Sequence, residues 1–137
     1  MSAAKPSYYE FDRRQWHNGM LIIRIHDSPT SEEQYDEFLQ DMSAMYADKR
    51  KFSMMFDTKP LKKHLPLMFV RKLANWIREH REESKLYLEK TAIVVDGTFI
   101  KLFLEAVFKI SPPSSPHCIA NTAGECVKFL GWKPSTV

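Results

Sequence analysis

The chain has 137 residues, 44% hydrophobic and 27% charged, which suits one domain with its own core and no need of metal or disulfide staples. A formal net charge of +3 is too small to argue nucleic-acid binding, and no apolar run is long enough to span a membrane. Its only cysteines, Cys118 and Cys126, stand in neither a metal nor a redox spacing. They read as reduced thiols, with Cys118 expected to be buried and inert. The start, Met1-Ser-Ala-Ala-Lys-Pro, lacks the apolar segment of a secretory signal, so the expected location is the cytoplasm.

Residues 1–7 are polar and read as a loose terminus. Residues 8–11 can form a short strand, and Asn18-Gly19 is a turn signal before a second strand at 20–25. Asp27-Ser28-Pro29 ends it. Thr30 and Glu33 have the spacing of a capping box, and Tyr35, Phe38, Leu39, Met42 and Tyr46 make one apolar stripe. A helix over 31–47 follows from that pattern. Residues 52–56 are the next strand, ended by Asp57-Thr58-Lys59-Pro60 and a lysine-bearing loop. Pro66 suits a helix start, and Leu67, Val70, Ala74 and Ile77 form one row, with Phe69, Leu73 and Trp76 beside it. Residues 81–85 read as the solvated tail of that helix.

Thr91 to Val95 is a short β-branched apolar run, as in a strand buried on both faces. Asp96-Gly97 ends it and Thr98 is placed to cap a helix over 99–110. Phe99, Leu102, Phe103, Ala106, Val107 and Ile110 are expected to face the core. Ile100, Leu104 and Phe108 form a second apolar row, read here as an exposed contact ridge for a partner, a second copy or an apolar ligand. The Pro- and Ser-rich residues 111–116 are a connection, 117–121 the last strand, and Thr122 the cap of a short helix over 123–130 with Gly131 closing it. Trp132 is expected to fold back on the core. The order is β-β-α-β-α-β-α-β-α, which predicts an α/β domain over 8–132 and a tail at 133–137. Its sheet is mixed but mostly parallel, with about five strands and about four helices.

That order resembles the STAS fold of anti-sigma-factor antagonists, in particular its SpoIIAA-like branch, structurally akin to the lipid-binding CRAL-TRIO domains. The pieces that carry the resemblance are Thr91-Ala-Ile-Val-Val-Asp-Gly97 and Thr122-Ala-Gly-Glu-Cys-Val-Lys-Phe-Leu-Gly-Trp132. A third is Phe56-Asp57-Thr58, where signalling members carry an Asp-Ser pair whose Ser is a phosphoacceptor. The resemblance therefore implies Thr58 as the phosphoacceptor, although Lys59-Pro60 replaces the small residues that usually follow. It also implies a non-catalytic regulatory domain that works by binding a protein partner or its own copy. The kinship with CRAL-TRIO implies the alternative, a carrier or sensor of an apolar or anionic lipid ligand.

The residues themselves point to the crevice beyond the carboxyl ends of the strands, where parallel sheets bind ligands. Asp57, Thr58, Asp96, Gly97, Thr98 and Thr122 gather there, beside helix N-termini with free N–H groups. A small enzyme using that crevice is a third reading, though each of these residues also suits a turn or cap. No histidine or cysteine spacing suggests a metal, no nucleophile is paired with a base, and no cofactor motif occurs. Lys49, Arg50, Lys51, Lys59, Lys62, Lys63, Arg71 and Lys72 are a basic set suited to phosphate or lipid headgroups. Interleaved acids, and the lack of aromatics among the lysines, argue against nucleic acid.

Overall fold

The computed structural model describes residues 8–131. The expectation for Trp132 falls outside the described residues. Strands β1 (Tyr9–Asp12), β2 (Met20–Ile25), β3 (Phe52–Asp57), β4 (Leu88–Val94) and β5 (His117–Ala120) form one sheet in the order of their sequence. β1 is antiparallel to β2, and the remaining neighbours are parallel. The helices are α1 (Glu32–Ser43), α2 (Leu67–Glu79), α3 (Arg81–Tyr87), α4 (Thr98–Ile110) and α5 (Ala123–Leu130). The α/β class and the mostly parallel five-stranded sheet are those the sequence predicts. The fifth helix, α3, is the addition: a backbone break at His80 turns the expected solvated tail into a separate short helix.

Because the parallel crossovers advance one strand at a time in one direction, α1, α2 and α4 share a face of the sheet. Strand periodicity divides the core accordingly. Leu21, Ile23, Ile25, Phe52, Met54, Ile93 and Val95 pack beneath those helices. Met20, Ile22, Met55, Ala92, Val94 and Ala120 face the other way, against Cys126 and Leu130 of α5. β4 is thus buried on both faces, as its β-branched run requires. It begins earlier than the sequence indicated, at Leu88, because a register shift between Phe52 and Met54 absorbs an extra residue.

Several ends differ by one residue from the sequence expectation. Ser31, not Thr30, caps α1 by accepting from the Gln34 N–H at 3.2 Å, while Thr30 donates to the Gln34 side chain. Ahead of α4 the capping position is Gly97 at φ 103°, a region that glycine enters cheaply, and no side chain caps it. Thr98 is already helical. Thr122 does cap α5, accepting from Glu125 N–H at 3.2 Å, and Gly131 closes it at φ 65°.

The largest correction concerns the faces of α4. Ile100 and Leu104 are 3% and 7% exposed and point into the main core, with Phe108 half-buried beside them. They form no exposed ridge. Phe99, Leu102 and Ile110, expected inside, are 39%, 51% and 49% exposed. α4 packs both on the sheet and along α2 through Val107, Val70 and Ala74. A helix apolar around most of its circumference does not declare which side meets the sheet, and the second row took that place. Cys118, expected to be buried, is only partly so, whereas Cys126 is fully buried.

Candidate functional site: an apolar cavity

Between the sheet and α1, α2 and α4 the side chains fail to close the interior, and a cavity of about 160 Å³ remains. Its floor is the sheet face carrying Ile25, Met54, Phe56, Thr91 and Ile93. Its roof is Phe38 and Met42 of α1, Leu73, Trp76 and Ile77 of α2, and Ile100, Phe103, Leu104 and Phe108 of α4. It runs along the strands. Thr58, Leu61 and Leu65 reach it at their carboxyl ends, and Leu88, Ser114 and His117 at their amino ends.

Five of the polar side chains on this lining are engaged with other partners. Tyr35 donates its hydroxyl to the Phe69 carbonyl at 3.2 Å, and Tyr8 donates to Gln34 O at 3.0 Å. Burial raises both phenols above their ordinary pKa, so they stay neutral. Thr58 Oγ1 donates to Val94 O at 2.7 Å, Tyr46 and Ser84 share a bond at 2.7 Å, and Trp76 Nε1 donates to Ser43 Oγ at 2.8 Å. What faces the space is almost wholly hydrocarbon, ring carbon and thioether. Such a surface offers little hydrogen bonding to a polar substrate or to a trapped water.

The crevice residues named from sequence lie along one edge but are engaged locally. Asp57 accepts from the Lys59 backbone N–H at 3.1 Å. Asp96 is exposed and paired with Lys62, whose ammonium holds the carboxyl below its ordinary range. Gly97 is exposed in the turn, Thr98 is exposed at the first position of α4, and Thr122 is the cap already described. Thr58 alone of the set meets the cavity, through a residue only 7% exposed. Its hydroxyl is inside and engaged, so a kinase could reach it only after the residue leaves this position. The basic set also divides. Arg50 donates to Trp16 O at 2.9 Å and Lys72 pairs with Glu32 and Asp36 at 2.7 Å each. Lys59, Lys62, Lys63 and Arg71 are exposed.

Sequence reading missed a chain of contacts that has the order of a nucleophile, base and acid. Ser43 Oγ lies 3.0 Å from His80 Nε2, and His80 Nδ1 lies 2.6 Å from Glu83 Oε1. The hydroxyl also sits 3.0 Å from Leu39 O, so one proton serves either the carbonyl or the imidazole. Ser43 ends α1, where carbonyls rather than N–H groups point outward, a poor setting for an oxyanion. Neither Ser43 nor His80 lines the cavity. The cluster is a clip between α1 and the α2–α3 bend. No signal short of the fold could pair residues 37 positions apart.

Among the described residues no group of three or more His, Cys, Asp or Glu side chains is placed to hold a metal ion. No described helix is long and apolar enough to cross a membrane. Compared with known proteins, the chain matches no family model and no curated protein.

Proposed function

We propose that the chain is a non-catalytic binding domain of STAS/SpoIIAA-like type whose cavity holds a small apolar molecule or the apolar end of a lipid. The observation that carries this reading is the cavity itself, together with its almost wholly apolar surface and the engagement of the Tyr8, Tyr35, Thr58, Trp76 and Ser84 polar groups with other partners. At about 24 cal/mol per Å³, leaving 160 Å³ unfilled costs roughly 4 kcal/mol, a large share of a domain's stability. A ligand that fills it recovers part of that cost. Apolar cavities of about 150 Å³ stay dry and take up benzene-sized molecules, which sets the scale of the buried group. Met42, Met54 and the half-buried Phe103 and Phe108 can adjust their rotamers to ligand shape. The element order and the sequential strand order support the STAS-like part of the reading. The protein-partner reading that the resemblance also implies loses its expected contact ridge, since Ile100 and Leu104 are buried inside the domain and Phe108 is half-buried beside them.

Titration of the purified full chain with a fluorescent polyene fatty acid, alongside native mass spectrometry, tests this. Saturable binding is expected, with a rise in melting temperature. Leu73→Phe, which builds into the cavity, should abolish the binding while the fold survives. Non-saturable uptake with an unmoved melting temperature would sink the reading.

A further inference from the structure

We propose that the carboxyl edge of the sheet is a docking surface for an anionic lipid bilayer. Its function as a ligand exchange point rests on the apolar-ligand reading; its geometry does not. Four large apolar side chains are exposed at the N-terminal ends of α2 and α4: Leu67 (62%), Met68 (41%), Phe99 (39%) and Leu102 (51%). α2 and α4 pack along each other through Val70, Ala74 and Val107. The preceding loop is held there too, His64 lying with its ring centroid 3.9 Å from that of Phe99.

The charges around this patch select the partner. Lys59, Lys62 and Lys63 on the loop, Arg71 on α2 and Lys101 on α4 are all exposed. The acids near them are Asp57, which accepts from a backbone N–H, Asp96, which pairs with Lys62, and Glu105, one turn from Lys101 on α4, so five cations stand against three carboxylates. Apolar side chains set in a region of net positive charge suit the boundary between anionic headgroups and acyl chains, the apolar groups sinking in and the cations binding phosphate. The same loop forms a wall of the cavity: Leu61 and Leu65 line it, while Lys62, Lys63 and His64 between them face solvent. A bilayer held by the lysines therefore lies directly over a wall of the ligand site.

Co-sedimentation of the full chain with vesicles decides it, using phosphatidylcholine alone or with about one-third phosphatidylserine. Binding to the anionic vesicles should exceed binding to the neutral ones by at least roughly tenfold and should vanish near 1 M salt, where screening acts over about 3 Å. The double variant Lys59→Glu with Lys63→Glu, and separately Leu67→Ser with Met68→Ser, should each lower the partition roughly tenfold. Both should melt like the parent, since the altered side chains are exposed. Lys49→Glu with Lys51→Glu, on the connection that leads into β3, should change little. Equal affinity for neutral and anionic vesicles, no binding to either, or equal damage from the Lys49/Lys51 pair would overturn the docking surface. Fatty-acid titration without vesicles keeps the two ideas apart. The patch variants should retain it, and Leu73→Phe should lose it yet still bind vesicles. Vesicle binding by a chain that takes up no fatty acid would leave the surface standing and remove the cavity function.

Discussion

Three residues show how local chemistry constrains this chain. Asp12, with a side chain only 6% exposed, is held as a carboxylate by Arg14 at 2.6 Å and Arg24 at 2.8 Å. Hydrogen bonding from Arg14, helped by Arg24, keeps its pKa well below the usual carboxylate range despite burial. The folded state thus binds this proton less tightly than the unfolded chain. Its contribution is complete above the unfolded value of about 4 and fades as pH falls below it. Asp12→Asn should cost on the order of 1 kcal/mol at neutral pH, modest because Arg14 is 79% exposed, and the difference should shrink in urea melts below about pH 4. Thr58 behaves differently. Val94 O accepts from both its N–H at 2.9 Å and its hydroxyl, so Thr58→Val leaves that carbonyl bonded and should cost less than about 1 kcal/mol. Thr58→Glu places a charge where the residue is buried and should cost over about 2 kcal/mol. A neutral Thr58→Glu in denaturant melts would restore the surface phosphoacceptor that the STAS resemblance implies. Cys126 has its thiol pushed up to about 11, first by burial. A maleimide should therefore label at most Cys118 in the native chain and both thiols in urea.

At the scale of elements, α4 is the informative one. Its amphipathic signal is real, yet nine of its thirteen residues are apolar, so two adjacent stripes compete for the sheet. The winning stripe is Ile100, Leu104 and Phe108; the other meets α2 through Val107 in its middle and solvent at its ends. Leu104→Ala should cost about 2–5 kcal/mol, since it removes core contacts and enlarges an existing cavity. Phe99→Ala should cost under about 1 kcal/mol. Equilibrium denaturation of the pair checks the orientation of the helix: a reversed ranking would mean the stripe named from sequence is the buried one after all.

At the scale of the whole molecule, an unfilled interior adjoins a charged, apolar rim. A ligand at about 100 times its dissociation constant stabilises the folded state by about 2.7 kcal/mol. For a chain of 137 residues that corresponds to roughly 10 °C in melting temperature. A fatty acid that binds at the cavity should give a shift of that order in the parent and none in Leu73→Phe. The patch variants should show the parental shift, because docking and occupancy involve different side chains.

The positions of the strands and of the four longer helices follow from the chain alone. Period-two and period-3.6 patterns, with turn formers such as Asp96-Gly97 and the Thr122 cap, are local signals carried by neighbouring residues. The basic loop between β3 and α2 was equally legible, since lysines in a connection stay in water. Three things required the tertiary structure. The buried stripe of α4 depends on which neighbour covers which side, and an all-round apolar helix leaves that open. The clip of Ser43, Trp76 and His80 depends on bringing distant segments within 3.0 Å. The cavity depends on a volume the packed side chains leave unfilled, a difference between the space the backbone encloses and the atoms that occupy it. No single residue encodes that difference, so only the assembled fold reveals it.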